Sequence, residues 1–382
     1  MTSLRIGLVM NSTAMAGTEQ HVLTLARGLC ELGHDVRVIC RYDSPLASAA
    51  ADVARVAPIL GSSRRTPIDI HRLATHCRRE KLDVLHAHNG VCTLLAVAAG
   101  QLSGVATVAT QHFIEPAHAT RRGPGGRFAA MIHRRLEARL DGVIAISQAV
   151  REAMIARHPA LTDRCRMVHN GVTMPEAFEL RPIADRGRPE ILCVARFERE
   201  KAVDTLIQAM SSVLQRLPRA RLCLVGGGRL QQQLEAQVDC AGLGEAVRFL
   251  GRGPDARRLM AESDLLVLPS PAEPFGLVVA EAMAAARPVV AIDAGGPREL
   301  VEHRRTGMLV GPQDPETLAD AICMLGESPD MAREFGHAGR QRYLENFTAE
   351  RMAKNTAAFY HAAIESRREG SPLLNSPPCA SS

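Results

Sequence analysis

Two glutamates eight positions apart, Glu273 and Glu281, mark the stretch of this sequence whose residue types are most suggestive of chemistry, residues 269–296. Glu273 follows an apolar run in a turn rich in Pro and Ser, whereas Glu281 falls inside a helix-favouring segment that Gly276 opens. At about 1.5 Å per helical residue the two carboxylates should be roughly 10 Å apart. That spacing is too large for a shared proton and suits the binding of two parts of one ligand.

The start of the same helix predicts an anion site. The backbone amides of Phe275, Gly276 and Leu277 form the positive end of the helix, where phosphate is favoured. Two cations, Arg196 and Lys201, follow an earlier strand-like run and can offset diphosphate charge, which stabilises a diphosphate as a leaving group without a metal ion. The alternative is a pair of solvated surface charges. Taken with the glutamates, these residues indicate an anionic ligand that also carries hydroxyl groups.

The pattern Glu-x7-Glu within EPFGLVVAE, followed by a small-residue helix, PVVA and a Gly-Gly turn, resembles the retaining GT-B glycosyltransferases of family 4, or glycosyl transferases group 1. The resemblance extends over nearly the whole chain. It implies that Glu273 contacts the sugar of a donor, that Glu281 contacts the nucleotide ribose, and that Arg196 and Lys201 hold the donor phosphates. It also implies an α/β protein with the GT-B fold, in which two Rossmann-like doubly wound domains face a cleft.

Two further segments match this family in part. The loop NSTAMAGTE resembles the Gly-Gly-x-Glu loop near the donor diphosphate, with Ala16 in place of the first Gly and with Gly17 and Glu19 retained. His112 follows a strand-like run and matches a family His near the reacting carbon, where it orients the sugar or the departing phosphate. The three glycines at 226–228 end another predicted strand and would let a backbone approach a nucleotide, although glycine turns after strands are common.

The histidine pair His86 and His88 invites a metal hypothesis, because two His one residue apart at a strand end can both offer ring nitrogens. No clustered third ligand is visible in the sequence. The ten cysteines include no C-x-x-C pair and are expected to be reduced core residues. We therefore expect no metal and no cofactor, and treat the nucleotide-sugar as a substrate.

Short β-rich runs alternate with helical stretches along the chain, which is typical of parallel sheets covered on both faces. The pattern restarts after a passage rich in Pro and charge, so a linker is expected near residue 185. The predicted strands are 4–10, 36–40, 83–87, 105–110, 143–146, 191–195, 221–225, 247–250, 265–268 and 289–292. The predicted domains are an acceptor-side Rossmann-like domain at 1–184, a donor-binding domain at 185–347, a helix at 348–366 that crosses back to the first domain in the family, and a disordered tail at 367–382.

Composition narrows the class of protein. Of 382 residues, 46% are hydrophobic and 23% charged, and no run of 18 apolar residues occurs, so no membrane span is expected. The N-terminus lacks the features of a signal peptide, which predicts a cytoplasmic location. Trp is absent and aromatic residues make up 3%, which argues against a nucleic-acid partner bound by stacking.

One basic segment, Arg121 to Leu140, is predicted to be an amphipathic helix. Its apolar residues fall four apart, and arginines lie next to them. Such a helix can contact an anionic membrane surface, or it can pack on the sheet with its charges solvated. The residues concerned are Phe128, Ile132, Leu136, Leu140, Arg134, Arg135 and Arg139.

The combined prediction is a retaining glycosyltransferase that moves a sugar from a nucleotide-diphosphate sugar to a glycan or lipid-linked acceptor. The resemblance favours a UDP-sugar over GDP-mannose and implies a role in bacterial surface polysaccharide or glycolipid synthesis, with peripheral contact at the inner face of the cell membrane. The alternatives are a GT-B-fold sugar-nucleotide epimerase and a non-catalytic sugar-nucleotide-binding protein. The predicted catalytic residues are His112, Arg196, Lys201 and Glu273, and the predicted donor-binding residues are Gly17, Arg196, Lys201, Glu273, Phe275, Gly276, Leu277 and Glu281.

Overall fold

A computed structural model describes residues 2–61, 66–114, 124–173, 183, 188–253 and 255–369, the side chains of 124–127 and 129 excepted. The chain forms two compact units, of which the first comprises Met1–Gly171 with Ala349–Ser382 and the second Val172–Thr348. Each unit contains one sheet of parallel strands with helices between them. None of the helices in these described ranges is long and apolar enough to cross a bilayer.

The first unit is built on a seven-stranded sheet. Its strands are β1 (Arg5–Val9), β2 (Asp35–Arg41), β3 (Arg55–Leu60), β4 (Val84–Ala87), β5 (Ala106–Gln111), β6 (Gly142–Ala145) and β7 (Cys165–Met167). The helices between them are α1 (Gly17–Glu31), α2 (Pro45–Ala50), α3 (Thr66–Arg79), α4 (Gly90–Ser103), α5 (Pro124–Glu137) and α6 (Gln148–Arg157). The strands lie in the order β3-β2-β1-β4-β5-β6-β7, and all pairs are parallel.

The second unit is built on a six-stranded parallel sheet in the order β10-β9-β8-β11-β12-β13. Its strands are β8 (Glu190–Arg196), β9 (Arg221–Gly227), β10 (Val247–Gly251), β11 (Leu265–Leu268), β12 (Val289–Ile292) and β13 (Gly307–Val310). Its helices are α7 (Val203–Arg216), α8 (Gln231–Cys240), α9 (Ala256–Glu262), α10 (Leu277–Ala284), α11 (Pro297–Leu300), α12 (Pro315–Glu327) and α13 (Pro329–Asn346). The central strands β11 and β12 are buried along their whole length, as their unbroken apolar sequences LLVL and VVAI require.

The strand order reverses beside the first strand of each sheet. In the first unit β1 pairs with β4 as well as with β2, and in the second unit β8 pairs with β11 as well as with β9. Connections therefore leave these neighbouring strands toward opposite faces of the sheet. A crevice at the carboxyl ends of the strands is the usual ligand position of such a sheet. The second crevice lies between the ends of β8 and β11, the two strands that lead to Lys201 and Glu273.

The last helix, α14 (Ala349–Glu369), belongs to the first unit and packs on α1. A Cβ on Gly28 of α1 would lie 2.8 Å from the Cβ of Ala353, so the close approach of the two helices requires glycine there. The disorder predicted from residue 367 is wrong for 367–369, which continue the helix. Arg367 Nη1 donates to Asp141 Oδ2 at 2.8 Å, and this ion pair holds the extra turn. Residues 370–382 of the predicted tail lie outside the described residues.

The two units change over at Gly171 and Val172, before the linker predicted near residue 185. Val172 belongs to the second unit because its amide donates to the carbonyl of Phe347 at 3.0 Å and its carbonyl accepts from Tyr343 Oη at 3.0 Å. Gly171, by contrast, donates its amide to Met352 Sδ of α14. The linker near residue 185 was predicted from local composition. The boundary between the two units is instead set by these hydrogen bonds between residues far apart in the chain.

All ten predicted strands are present, and the described residues contain three more that the sequence did not predict. β3 has the sequence RVAPIL, whose Pro and partial exposure are typical of an edge strand. β7 has only three residues, and β13 has four, GMLV, of which the first, Gly307, also forms an isolated bridge with His303. α12 begins after Asp314, whose carboxylate caps the helix by accepting from the amides of Glu316 and Thr317 at 3.1 Å.

Candidate functional site

The structure brings Lys201 and Glu273 together at the crevice of the second unit. Lys201 ends a 3-10 turn, Arg199–Lys201, which follows β8, and Glu273 lies in the turn that follows β11. Lys201 Nζ donates to Glu273 Oε2, and both side chains are 15% exposed. Because β8 and β11 are adjacent and parallel, their carboxyl ends reach the same edge of the sheet, and residues 72 positions apart in the chain become an ion pair.

The backbone around Lys201 is held in an uncommon conformation. Ala202 has φ of +47°, in the left-handed region that a residue with a Cβ adopts at a cost of roughly 1–2 kcal/mol. The turn is closed by the hydrogen bond from the amide of Lys201 to the carbonyl of Glu198. Ser270 Oγ donates to the carbonyl of Glu200 at 3.0 Å and ties the turn after β8 to the loop after β11. The surrounding contacts thus fix where the ammonium group points.

Two glycines fix the position of the loop that carries Glu273. The amide of Gly296 donates to the carbonyl of Glu273 at 2.9 Å. A Cβ on Gly295 would lie 2.3 Å from that same carbonyl oxygen, and one on Gly296 would lie 2.2 Å from Phe275 Cα. Side chains at either position would displace the loop, so the Gly-Gly turn after β12 sets the position of the carboxylate.

The glycines at 226–228 have a packing role. A Cβ on Gly226 would lie 1.8 Å from the carbonyl oxygen of Ala195, and one on Gly228 would lie 2.3 Å from that of Phe197. Both glycines allow the end of β9 to press against the end of β8. Protein packing therefore accounts for two of the three glycines, and it positions the turn that begins at Arg196.

Arg196 ends β8 close to Lys201 in sequence, but its guanidinium points to a different partner. Its Nη2 donates to Glu200 Oε1 at 2.9 Å, and its side chain is 66% exposed. Glu200 is itself exposed, so this ion pair is worth less than about 1 kcal/mol. A ligand that offers a better anion can therefore draw Arg196 away from Glu200 at little cost.

The start of α10 can offer backbone amides to a ligand. Gly276 is the N-cap with φ of +96°, and no side chain caps the helix. The Phe275 ring is buried and meets the ring of Phe347 edge to face, with centroids 6.2 Å apart. Of the three predicted donor-binding positions at 275–277, Phe275 can therefore take part only through its backbone, while its side chain anchors the turn in the core.

Glu281 lies on α10 and pairs with Arg257 of α9, whose Nε is 3.5 Å from Glu281 Oε1. Burial raises the pKa of Glu281, and the Arg257 guanidinium opposes that shift only in part. A mostly buried carboxyl with one long ion pair keeps acceptor capacity for a ligand hydroxyl. Arg257 was not identified from the sequence, because an Arg in a short surface helix gives no local signal of a buried partner.

The loop after β1 in the first unit is capped by its own acid. Gly17 is the first residue of α1, and Glu19 Oε2 accepts from the amide of the N-cap residue Ala16 at 2.9 Å. Glu19 is buried. The acid of this Gly-x-Glu segment therefore holds the start of the helix, and Gly17 stands at the crevice end of β1.

His112 follows β5 and lies among other histidines. Its ring is buried, 4.8 Å from the ring of His21 and 5.7 Å from that of His88 between centroids. His86, the first member of the HxH pair, is occupied by two hydrogen bonds, one between Nδ1 and Tyr360 Oη at 2.6 Å and one between Nε2 and Thr110 Oγ1 at 2.7 Å. His21 of α1 also lies in this group, and its place there was not evident from the sequence.

Both halves of the chain match known families. Residues 15–174 match the model of Glycosyltransferase Family 4, and residues 179–342 match that of Glycosyl transferases group 1. Alpha-maltose-1-phosphate synthase of Mycolicibacterium smegmatis is 32% identical over 86% of this chain and 93% of its own length. Phosphatidyl-myo-inositol mannosyltransferase of Mycobacterium leprae is 29% identical over 88% of this chain and 91% of its own length.

Solved structures with a similar fold include HepE of Anabaena in complex with UDP-glucose, with a TM-score of 0.79 and 23% identity over 93% of this chain and 98% of that chain. Sucrose-phosphate synthase from Thermosynechococcus elongatus has a TM-score of 0.77 and 23% identity over 95% of this chain and 100% of that chain. The two doubly wound parallel sheets agree with this likeness. On the family matches and the extent of the identity, the chain belongs to the GT-B glycosyltransferases of family 4, the glycosyl transferases group 1.

Proposed function

We propose that this glycosyltransferase moves a sugar from a nucleotide-diphosphate sugar to a glycan or lipid-linked acceptor, with retention at the anomeric carbon, in the synthesis of a bacterial surface polysaccharide or glycolipid. The observation that carries the proposal is the ion pair of Lys201 with Glu273 at the reversal point of the second sheet. An ammonium and a carboxylate in one crevice are suited to a ligand that has both phosphate oxygens and sugar hydroxyls.

The pair supports a division of roles within the donor site. When a donor is bound, Lys201 donates to the diphosphate, and Glu273 accepts from a hydroxyl of the sugar. Arg196 leaves its exposed partner Glu200 and supplies a second positive charge to the diphosphate. Glu281 accepts from the ribose, and the start of α10 offers its backbone to the phosphates. His112 and Gly17 are assigned to the reacting sugar and the donor diphosphate on the family resemblance.

In the proposed reaction, the bond between the anomeric carbon and the diphosphate oxygen breaks, and a bond from the anomeric carbon to an acceptor oxygen forms. The acceptor attacks on the face from which the diphosphate leaves, and its hydroxyl proton passes to the departing oxygen. Glu273 has Lys201 as its partner and not a second carboxylate, so the pair is not arranged as in a glycosidase. Positive charge from Lys201 and Arg196 then does the work that a metal ion does in other transferases.

The donor is proposed to be a UDP-sugar, with GDP-mannose as the alternative. HepE, which shares the fold, was solved with UDP-glucose, and a mannosyltransferase stands among the relatives. A thermal-shift panel of nucleotide sugars separates the two, because at equal concentration the ligand with the lower Kd for the folded protein raises the melting temperature more.

Product analysis tests the reaction. The native enzyme is incubated with the stabilising donor and an acceptor extract, and the anomeric configuration of the product is determined by NMR. A glycoside with the configuration of the donor supports the proposal, and an inverted product contradicts retention. With donor alone, an isomerised sugar would indicate an epimerase, and a donor left unchanged in the full mixture would indicate a binding protein.

A contact with an anionic membrane surface is proposed for α5. Phe128, Met131 and Ile132 are exposed, Phe128 by 61%, and arginines 134, 135 and 139 are exposed beside them. Leu140, at the other end of the predicted apolar stripe, is buried in the first unit. The stripe therefore packs at one end and leaves an apolar and cationic surface at the other, which supports access to a lipid-linked acceptor at the inner face of the membrane. Arg121 and Arg122 lie outside the described residues.

A further inference from the structure

Three histidines from separate elements meet in the first unit. His21 comes from α1, His88 from the residue after β4 and His112 from the residue after β5. One ring nitrogen from each lies within 4.8 Å of the other two, and all three side chains are buried. Helix α1 and the ends of two adjacent strands thus direct three imidazoles at one point.

The ring nitrogens of this histidine cluster lack hydrogen-bond partners. Both nitrogens of His21, both of His88 and Nε2 of His112 are buried without one. The amide of Asn170 lies beside His21 and favours its protonated form, but the Asn170 side-chain oxygen is likewise buried without a hydrogen bond of ordinary geometry. Each unsatisfied buried polar atom costs about 1–3 kcal/mol. Several such atoms at one point indicate that a ligand binds there.

His86 shows that the cluster is not simply a packed core. It lies 4.1 Å from His88 between ring centroids, and it is buried to the same extent. Both of its nitrogens are nonetheless paired, with Tyr360 and Thr110. The fold therefore satisfies this neighbouring histidine completely but leaves nitrogens of the three convergent rings without partners, which separates a structural histidine from candidate ligands.

The arrangement of the rings favours a cation over an anion, because convergent ring nitrogens without hydrogen-bond partners can direct lone pairs at one point. Burial lowers the pKa of His21 to about 4, with Asn170 opposing the shift. Burial first, and the neighbouring histidines second, lower the pKa of His88 and of His112 well below its ordinary value. These shifts agree with the geometry, since each of them favours the neutral form of the ring. Neutral imidazoles are ligands of zinc and similar ions, whereas phosphate requires protonated rings.

We propose that His21, His88 and His112 form a binding site for a borderline transition-metal ion of the Zn²⁺ class, with one coordination position left open. Three protein ligands and an open position are usual for zinc sites that accept an exogenous ligand. A tetrahedral ion with Zn–N bonds of about 2.0–2.1 Å places its nitrogens roughly 3.3 Å apart, so the rings close on the ion by side-chain rotation. The metal is not needed for the charge stabilisation assigned to Lys201 and Arg196.

Cobalt binding tests the site without any assay of transfer. Tag-free full-length protein, dialysed against a chelator, is titrated with Co²⁺ and then with Zn²⁺, and bound metal is measured by elemental analysis. We expect one ion per chain, the visible bands of four-coordinate Co²⁺, and displacement of Co²⁺ by Zn²⁺. A thiolate-to-cobalt charge-transfer band would assign the ion to cysteines and overturn the proposal, as would less than about a tenth of an ion per chain.

Variants assign the ion to the three rings. His88→Ala and, separately, His21→Ala should each lower the affinity at least tenfold, since the loss of a hydrogen-bond partner of a metal ligand alone costs about 10- to 100-fold. His337→Gln, at an exposed histidine of α13, is the matched control and should bind as the native protein does. Circular dichroism and melting curves confirm that each variant is folded. Native affinity in both folded alanine variants would place the metal elsewhere and refute the site. Because the readout is binding, it stands apart from the proposed transfer reaction.

Discussion

Glu273 holds the ammonium group of Lys201 at the point where β8 and β11 end side by side. Both partners are mostly buried, and each comes from a loop that backbone contacts hold in place: a left-handed Ala202 on one side and the Gly295–Gly296 turn on the other. Removing one partner leaves the other charge without compensation in a poorly solvated crevice. Lys201 and Glu273 are therefore already in position, and a ligand can replace either residue as the partner of the other.

Lys201→Ala should lower kcat by about 100-fold or more, because it removes one fixed positive charge from the departing diphosphate. Initial rates with the donor identified by thermal shift measure this effect. Lys354→Ala is the matched control, since Lys354 pairs with Glu350 on the exposed face of α14 and should keep the native rate. Turnover within a few-fold of native in the Lys201 variant would remove the leaving-group role.

Glu281→Gln should weaken nucleotide binding by about tenfold, as expected for loss of a hydrogen bond to a charged acceptor. Isothermal titration with the free nucleoside diphosphate measures it. Glu262→Gln, which breaks an exposed pair with Arg258 on α9, should leave this affinity unchanged. An equal loss in both variants would indicate a general electrostatic effect and not a ribose contact.

The same Glu281 variant should show a distinct pH dependence of stability. Burial raises the pKa of Glu281, so the folded protein holds that proton more tightly than the unfolded chain does. Its contribution to the free energy of unfolding is therefore present below the unfolded pKa of about 4.3 and is lost as the pH rises toward the folded value. Because Gln does not titrate, the melting temperature of the variant relative to native should increase across this window. A difference that stays constant or falls with pH would contradict the burial effect.

Gly295→Ala should weaken donor binding and lower the free energy of unfolding by about 1–3 kcal/mol, because φ at this residue is +57° and the new Cβ would meet the Glu273 carbonyl. Denaturant melts and donor titrations measure the two effects. Gly311→Ala, in the same unit, introduces a Cβ with no atom within 4 Å and should have little effect on either. Native donor affinity in a folded Gly295 variant would show that the loop can shift without harm.

Phe128→Glu together with Ile132→Glu should reduce sedimentation with vesicles containing anionic lipid, because both side chains are exposed next to cationic residues on α5. Leu344→Glu, at an exposed leucine of α13, serves as the control and should sediment as native. Binding should also fall as salt rises. Native vesicle binding in the double variant would favour the alternative in which α5 only packs on its own unit.

Zinc should inhibit transfer at least tenfold when it saturates the histidine cluster, since it would engage His112, and a chelator should restore the rate. The His88→Ala variant should resist this inhibition at zinc concentrations that inhibit the native enzyme. Initial rates across a zinc titration, with His337→Gln as the control, measure the effect. Equal inhibition of the His88 variant would point to a different inhibitory site.

Local sequence patterns were sufficient for ten of the thirteen strands in the described residues and for placing Lys201 and Glu273 after strands of the second sheet, because each of these strands carries its own apolar run. The ion pair between Lys201 and Glu273 was not predicted, since it depends on the parallel order that brings the ends of β8 and β11 together. The same patterns did not predict that Arg257 lies beside Glu281 or that His21 belongs to the histidine cluster. Both residues lie on helices that the fold brings to the site from distant parts of the chain, so no regular spacing in the sequence marks them. The edge strands β3 and β7 were missed because one is partly exposed and contains a Pro, and the other has only three residues.

The return of α14 to the first unit has a consequence for the order of events during synthesis. Tyr360 of this helix is fully buried, and its hydroxyl pairs with His86, while Ala353 covers Gly28 of α1. All residues of the second unit leave the ribosome before these positions do. The first unit therefore completes its core only after the whole second unit has been synthesised, although most of its own residues are made before that unit.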